Sequence, residues 1–235
     1  MATLPVENLA AQQQNRPYKR LGVNRSRGQL RSELIEAARE ILRDGSYEKL
    51  TIEQIAAKAS ISRRTLYNLF QEKDDIYRQT CEHLIKTVGD LMVDEIPERM
   101  SAIDGIRFYV ASCMEIYSNA ATKDLLRIVV RDGAQHPWIA KAYSKQIRLP
   151  LIRVCELFIL KKTRRAPMAN GAPYHVGAQI ADIVKFQVIG PLIFGLDNVS
   201  VDMSTEQLDI IIQAYAGIID GTAQKSFSVS QAARG

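Results

Sequence analysis

Residues 51–70 read TIEQIAAKASISRRTLYNLF, and the way this stretch folds decides the fold of the whole chain. Thr51-x-x-Gln54 has the form of a capping box, in which each side chain bonds the other's backbone amide and opens a helix. Ser62 is placed to cap a second helix eleven residues later. Between them Ile52, Ile55, Ala56 and Ala59 recur at helical spacing and define one inner face. Ile61 fills the corner, and Leu66, Leu69 and Phe70 define the other inner face. Ala56 and Ala59 are small where two backbones approach. Two short helices joined by a tight turn, with a buried Leu66 ten residues after Ala56, form a helix-turn-helix. Once the apolar side faces inward, Arg63, Arg64, Tyr67 and Asn68 have to face out.

That outward face suits duplex DNA. A helix fits the major groove, where arginine donates two hydrogen bonds to guanine O6 and N7. Hydroxyls of Ser, Thr and Tyr donate to phosphate oxygens, which sets register without reading sequence.

At these residues the chain resembles the TetR family of bacterial transcriptional repressors, whose signature runs T-x-x-x-I-A-x-x-A-G-V-S-x-G-T-L-Y-x-x-F-x-x-K-x-x-L. Thr51, Ile55, Ala56, Ala59, Ser62, Thr65, Leu66, Tyr67, Phe70 and Lys73 match at their spacing, with Ile61 and Ile76 as conservative replacements. Motif matching covers residues 31–77; beyond them the likeness is one of length and helical pattern. Two positions depart. Ser60 stands where the family has its turn glycine, and must hold a backbone angle easier for glycine at a cost of about 1 kcal/mol. Arg64 stands where a small residue is usual, which implies an operator unlike those of relatives with glycine there. The resemblance implies phosphate contacts for Thr51 and Tyr67. It implies a backbone clamp for Lys73, base-edge contacts for Arg63, Arg64, Thr65 and Asn68, and a capping, phosphate-proximal role for Ser62. It also implies an arm whose Arg25 and Arg27 follow the minor groove or the backbone.

Charge placement agrees with a polyanionic partner. The net charge is +5, and residues 16–31 carry six basic side chains and no acid. A membrane-surface or scaffold protein using the same basic arm is the alternative from another class. The N-terminal segment has no secretory pattern, and no stretch has the apolar length to cross a bilayer. RLPLIRVCELFIL, the most apolar candidate, is interrupted by Arg148, Arg153 and Glu156. A cytoplasmic, nucleoid-associated protein is expected.

The organisation read from periodicity is all-α, with about nine helices and no strands. Residues 1–27 form a flexible basic arm, 28–76 the helix-turn-helix domain, 77–225 a larger helical regulatory and dimerisation domain, and 226–235 a disordered tail. Ser101-x-x-Asp104, Thr122 and Ser204-x-x-Gln207 are candidate helix starts, and Pro150 is expected to bend or break the long helix around it.

A single reading helix touches too few base pairs to find one genomic site, so two copies related by a twofold axis are expected. Apolar stripes on the last two helices are candidates for that contact: Ile180, Ile183, Val184 and Val188 on one, Leu208, Ile211, Ile212 and Tyr215 on the other. The family pairs such helices as a four-helix bundle. It also builds a small-molecule pocket in the middle of the chain, which makes Tyr109, Met114, Tyr117, Trp138, Tyr143 and Phe158 candidates for effector contacts. The implied function is a homodimeric, effector-released repressor of a palindromic operator. Enzymatic chemistry is not indicated: His83, His136 and His175 are isolated, no glycine loop cradles phosphate, and no cofactor or metal is expected. Cys81, Cys113 and Cys155 are far apart and odd in number, consistent with reduced thiols. A redox-responsive regulator using one of them is the second alternative.

Overall fold

The computed structural model describes residues 25–163, 176–193 and 205–220, which are helical throughout their regular elements. Helix α1 spans Arg27–Asp44, and its start is a capping box between Ser26 and Gln29. Leu34, Ala37, Ala38 and Leu42 recur at helical spacing and supply its buried stripe. A single 3-10 turn, Tyr47–Lys49, leads to α2 (Ile52–Lys58) and α3 (Arg63–Tyr67). Helix α4 (Lys73–Gly89) rises about 25 Å at 1.5 Å per residue. Its first half buries Ile76 and Tyr77 beside α1, and its second half buries Leu84, Ile85 and Val88 among the later helices.

Those later helices are α5 (Ala102–Ser118), α6 (Ala120–Asp132), α7 (Pro137–Tyr143), α8 (Leu149–Thr163), α9 (Val176–Ile193) and α10 (Thr205–Asp220). Helix α5 is central and packs against α6, α8, α9 and α10. Close approach has a cost in side chains: a Cβ on Gly105 of α5 would run into the Phe158 ring of α8. At the start of α9, the Gly177 carbonyl accepts from the Tyr109 hydroxyl at 3.1 Å while its N–H donates to Glu156 Oε1 at 3.0 Å.

Two expectations about local structure are corrected. The cap of α6 is Asn119, whose side chain accepts from the Ala121 amide; Thr122 lies inside the helix and is fully buried. Pro150 does not break its helix. It cannot donate to the carbonyl four residues back, and the backbone instead widens into a π turn over Ser144–Arg148, with Leu149 N–H reaching Ser144 O, before continuing as α8. The expected arm (to residue 24) and tail, together with Ser204, lie outside the described residues. The arm boundary expected at 27 falls within the helix, since α1 begins at Arg27.

Candidate nucleic-acid interface

The reading head is assembled by local rules. Thr51 accepts from the Gln54 amide, and Gln54 returns a bond to the Thr51 amide, as its spacing predicts. The end of α2 is a Schellman motif, with Ile61 N–H to Ala56 O at 3.0 Å and Ser60 N–H to Ala57 O at 3.1 Å. That motif requires a left-handed residue, and Ser60 supplies it at φ 54°. Ser62 then caps α3 through the Thr65 amide and shares a second hydrogen bond with the Thr65 hydroxyl. Ile55, Ala56, Leu66 and Phe70 are buried, while Ala59, Ile61 and Leu69 are partly so.

With that face occupied, Arg63, Arg64, Tyr67 and Asn68 are all exposed, and so are Thr51 and Ser62. Tyr67 presents an aromatic ring that is 54% open to solvent, which no packing requirement explains. Arg64 is exposed within the same helix. Arg63 leans toward α2, where its guanidinium meets the Glu53 carboxylate at 3.0 Å.

Among the described residues of the basic run, the three arginines all have partners within the protein. Arg25 pairs with Glu33 of α1 at 2.7 Å, and Arg27 lies within 3.5 Å of the Asn68 carbonyl. Arg31 is structural: it donates to Gln79 Oε1 and the Leu69 carbonyl and covers the Phe70 ring, tying the segment that follows α3 to α1 and α4. Lys73, the first residue of α4, stands 3.9 Å above the Tyr47 ring, a cation–π contact that restrains its long side chain beside the reading surface. Tyr47 also donates its hydroxyl to Asp74, and this bond leads the causes pushing its pKa up to about 12. Sequence reasoning missed Tyr47 because a lone aromatic in a short turn has no periodicity to mark it.

Behind the reading head a polar seam joins it to α6. The buried Asp124 carboxylate accepts from Arg39 Nε at 2.8 Å, Arg43 Nε at 3.4 Å and Arg127 Nη1 at 3.2 Å. Arg131 donates to the Leu42 and Arg43 carbonyls, capping the end of α1. One oxygen of buried Asp132 accepts from both the Tyr77 hydroxyl, at 2.6 Å, and the Tyr47 amide, at 3.2 Å. Trp138 belongs to this seam, with its ring against Tyr77 and under Arg78.

Deeper in the larger domain the candidate effector residues divide. Tyr109 is satisfied by Gly177 and Phe158 is packed against Gly105, so both are core; Met114 is a half-buried core neighbour. Tyr117 and Tyr143 differ. They are 1% and 6% exposed, and their hydroxyls lie close enough to influence each other's titration without meeting each other, or any other group, in good hydrogen-bond geometry. Burial pushes both phenols up, so both keep their protons. The π turn that follows Tyr143 also aims Arg148 at Asp182, at 3.1 Å.

The candidate dimer residues are partly redirected. Ile180, Val184 and Ile212 are buried in the subunit's own core, and Tyr215 donates its hydroxyl to Gln179. Among the described side chains of α9 and α10, the large apolar ones turned outward are Ile183, at 36% exposure, Phe186 at 58% and Ile210 at 69%; of these, Ile183 is one of the expected dimer residues. The side chains of Val188, Leu208 and Ile211 lie outside the described residues. All three cysteines are buried and free. Burial pushes the Cys81 and Cys113 thiols up to about 12 and raises Cys155 as well, the reverse of what a thiolate-based sensor needs. Among the described residues no cluster of His, Cys, Asp or Glu could hold a metal ion, and no helix is long and apolar enough to cross a membrane.

Comparison with known proteins places this geometry. Residues 34–80 match the model of the bacterial regulatory proteins of the tetR family. The HTH-type transcriptional regulator AlkX of Mycobacterium tuberculosis is 26% identical over 145 residues, covering 55% of this chain, and the match spans 66% of AlkX. Among solved structures, the flavonoid-responsive regulator FrrA superposes with a TM-score of 0.59 at 17% identity, covering 82% of this chain and 95% of FrrA. A TetR family transcriptional regulator from Pseudomonas syringae pv. tomato superposes at 0.54 with 18% identity, covering 81% and 95%. At such identities the structural likeness establishes the fold alone. The matched domain includes α2, α3 and the start of α4, with its reading face exposed. The helix-turn-helix of residues 34–80 is thus similar to the DNA-binding domain of the tetR family, and the whole chain has the all-helical fold of TetR-family structures.

Proposed function

We propose that the protein is a homodimeric, effector-responsive repressor that grips a palindromic operator through α3 of each copy. One observation carries this reading: Arg63, Arg64, Tyr67 and the capping Asn68 are all presented to solvent from α3 and its end, while Leu66 of the helix and Phe70 just beyond it are buried. Arg64, Thr65 and Asn68 are assigned to base edges and Arg63 beside them, with Thr51, Tyr67 and Lys73 on the phosphates. Such a protein works on DNA in the bacterial cytoplasm. It has no catalytic step to perform.

Pairing of two copies is supported by Ile183, Phe186 and Ile210, apolar side chains left open on α9 and α10. Phe186→Glu puts a charge in that surface. It is expected to shift the protein from dimer to monomer in sedimentation equilibrium and to abolish tight operator binding. A variant that remains dimeric would move the interface elsewhere.

Effector control is supported by the hydroxyls of Tyr117 and Tyr143, buried near each other with no well-formed hydrogen bond, since buried polar groups are rarely left so poorly satisfied. A molecule bonded there would press on α5 and the π turn. It would shift α6 and thus the Asp124 seam that fixes α1. The test of the whole reading is selection of random duplexes by the purified full chain. Enrichment of an inverted repeat is expected; an asymmetric site removes the twofold arrangement, and no enrichment removes the function.

A further inference from the structure

Glu53 is an acid on the surface that has to meet a polyanion. It is the second residue of α2, its carboxylate lies 3.0 Å from the Arg63 guanidinium, and the two side chains are 63% and 66% exposed. Its own backbone amide, and then Arg63, hold its pKa below the usual carboxylate range, so it is charged at neutral pH. Nothing in the packing calls for this pair. An exposed ion pair of this kind contributes little to folding, and the Thr51–Gln54 box already fixes the start of α2.

The consequence lies in DNA binding. A carboxylate cannot accept from phosphate, and near the backbone it is repelled. On random DNA, where phosphates supply nearly all the attraction, Glu53 also neutralises Arg63 and cancels about one released counterion. In the major groove the balance reverses. A carboxylate accepts from the exocyclic amino group of cytosine, and an arginine beside it donates to guanine O6 and N7. The same two side chains, already joined, can therefore read a cytosine next to a guanine while weakening attachment everywhere else.

We propose that Glu53 is a specificity-determining residue of the operator contact: it suppresses binding to unrelated DNA and, with Arg63, selects a cytosine adjacent to the guanine that Arg63 reads. This rests on the DNA-binding reading above. The experiment uses the full chain and two duplexes, the site enriched by the wild-type protein and a scrambled version. Affinity is measured by fluorescence anisotropy across a salt series for wild type, E53Q and E53A. For E53Q the expected result is binding to the scrambled duplex tightened about tenfold with a salt slope steeper by about one. Binding to the enriched site is expected to be unchanged or weaker, so that the ratio of the two affinities falls roughly tenfold or more. Repeating the selection with E53Q should erase the preference at one cytosine position and leave the positions read by Arg64 intact. Equal changes on both duplexes, or an unaltered ratio with an unaltered selected site, would overturn the proposal, as would cytosine preference surviving in E53A. A wild-type protein that enriches no duplex at all fails at the earlier step, and the function itself is then rejected.

Discussion

Arg63 and Glu53 face each other at 3.0 Å with both side chains more than half exposed, whereas Asp124 is 3% exposed beneath Arg39, Arg43 and Arg127. The chemistry is the same and the surroundings are not. Water screens the first pair and competes for each partner, so the ions are held together weakly and remain available to DNA. The second carboxylate has exchanged its hydration for three guanidinium groups, and losing one side of such a cluster strands the other in the interior. The first arrangement leaves charge loose on an exposed surface; the second fixes charge in the interior and ties α1 to α6.

The strongest way to break that contrast is Asp124→Asn. It leaves three cations around a neutral amide, and a loss of about 3–5 kcal/mol is expected in urea unfolding. The transition should also lose its single-step character, because α1 and α6 are joined through this residue. A change within ordinary surface-mutation scatter would show that the seam is held by packing of Leu42 and its neighbours instead of by charge.

The middle-sized effects separate reading from gripping. Arg64→Ala is expected to weaken the enriched site by about 1–3 kcal/mol while leaving scrambled DNA nearly untouched, because the lost bonds go to base edges. Lys73→Ala should weaken both duplexes alike and lower the salt slope by about one, because the lost bond goes to phosphate. Its secondary cost is a Tyr47 ring without its cation. If the two variants behave identically on both duplexes, the division of the head into reading and gripping residues fails.

What could be read in the sequence follows the range of the interactions. Thr51, Ser62 and Ser101 were legible as caps because a cap bonds an amide three residues away. The helix-turn-helix was legible because its inner faces repeat every three or four residues and its turn demands one special backbone angle. The seam was not: Arg39 and Asp124 are 85 positions apart, and no local pattern marks a charge as destined for burial. Thr122 was misjudged as a cap because Asn119, three residues earlier, competes for the same end of the helix and wins. The outward face of α9 was misplaced for another reason. Ile180, Ile183, Val184 and Phe186 put apolar groups on several sides of one helix, so periodicity cannot say which side meets the core. The breaking power of Pro150 was overstated because an extra residue in the turn, a π turn, removes the need for the missing donor.

The smallest expected effect tests the reading head's one strained residue. Ser60 holds φ 54°, a conformation in which a Cβ crowds the backbone at a cost of about 1–2 kcal/mol. Ser60→Gly relieves that strain, but the glycine adds freedom to the unfolded chain worth about 0.5–1 kcal/mol, so the net gain in stability is expected to be about 0.5–1 kcal/mol. The two Schellman bonds, Ile61 N–H to Ala56 O and Ser60 N–H to Ala57 O, need no side chain at this position and should survive. Because Arg64, Tyr67 and Asn68 are oriented by Leu66 and Phe70 and not by Ser60, affinity for the enriched duplex should stay the same. A stability gain with unchanged binding would mean that the turn stores strain without using it. A loss of selectivity on relief of the strain would mean that the serine helps to set the angle between α2 and α3, and with it the register of Glu53 against Arg63.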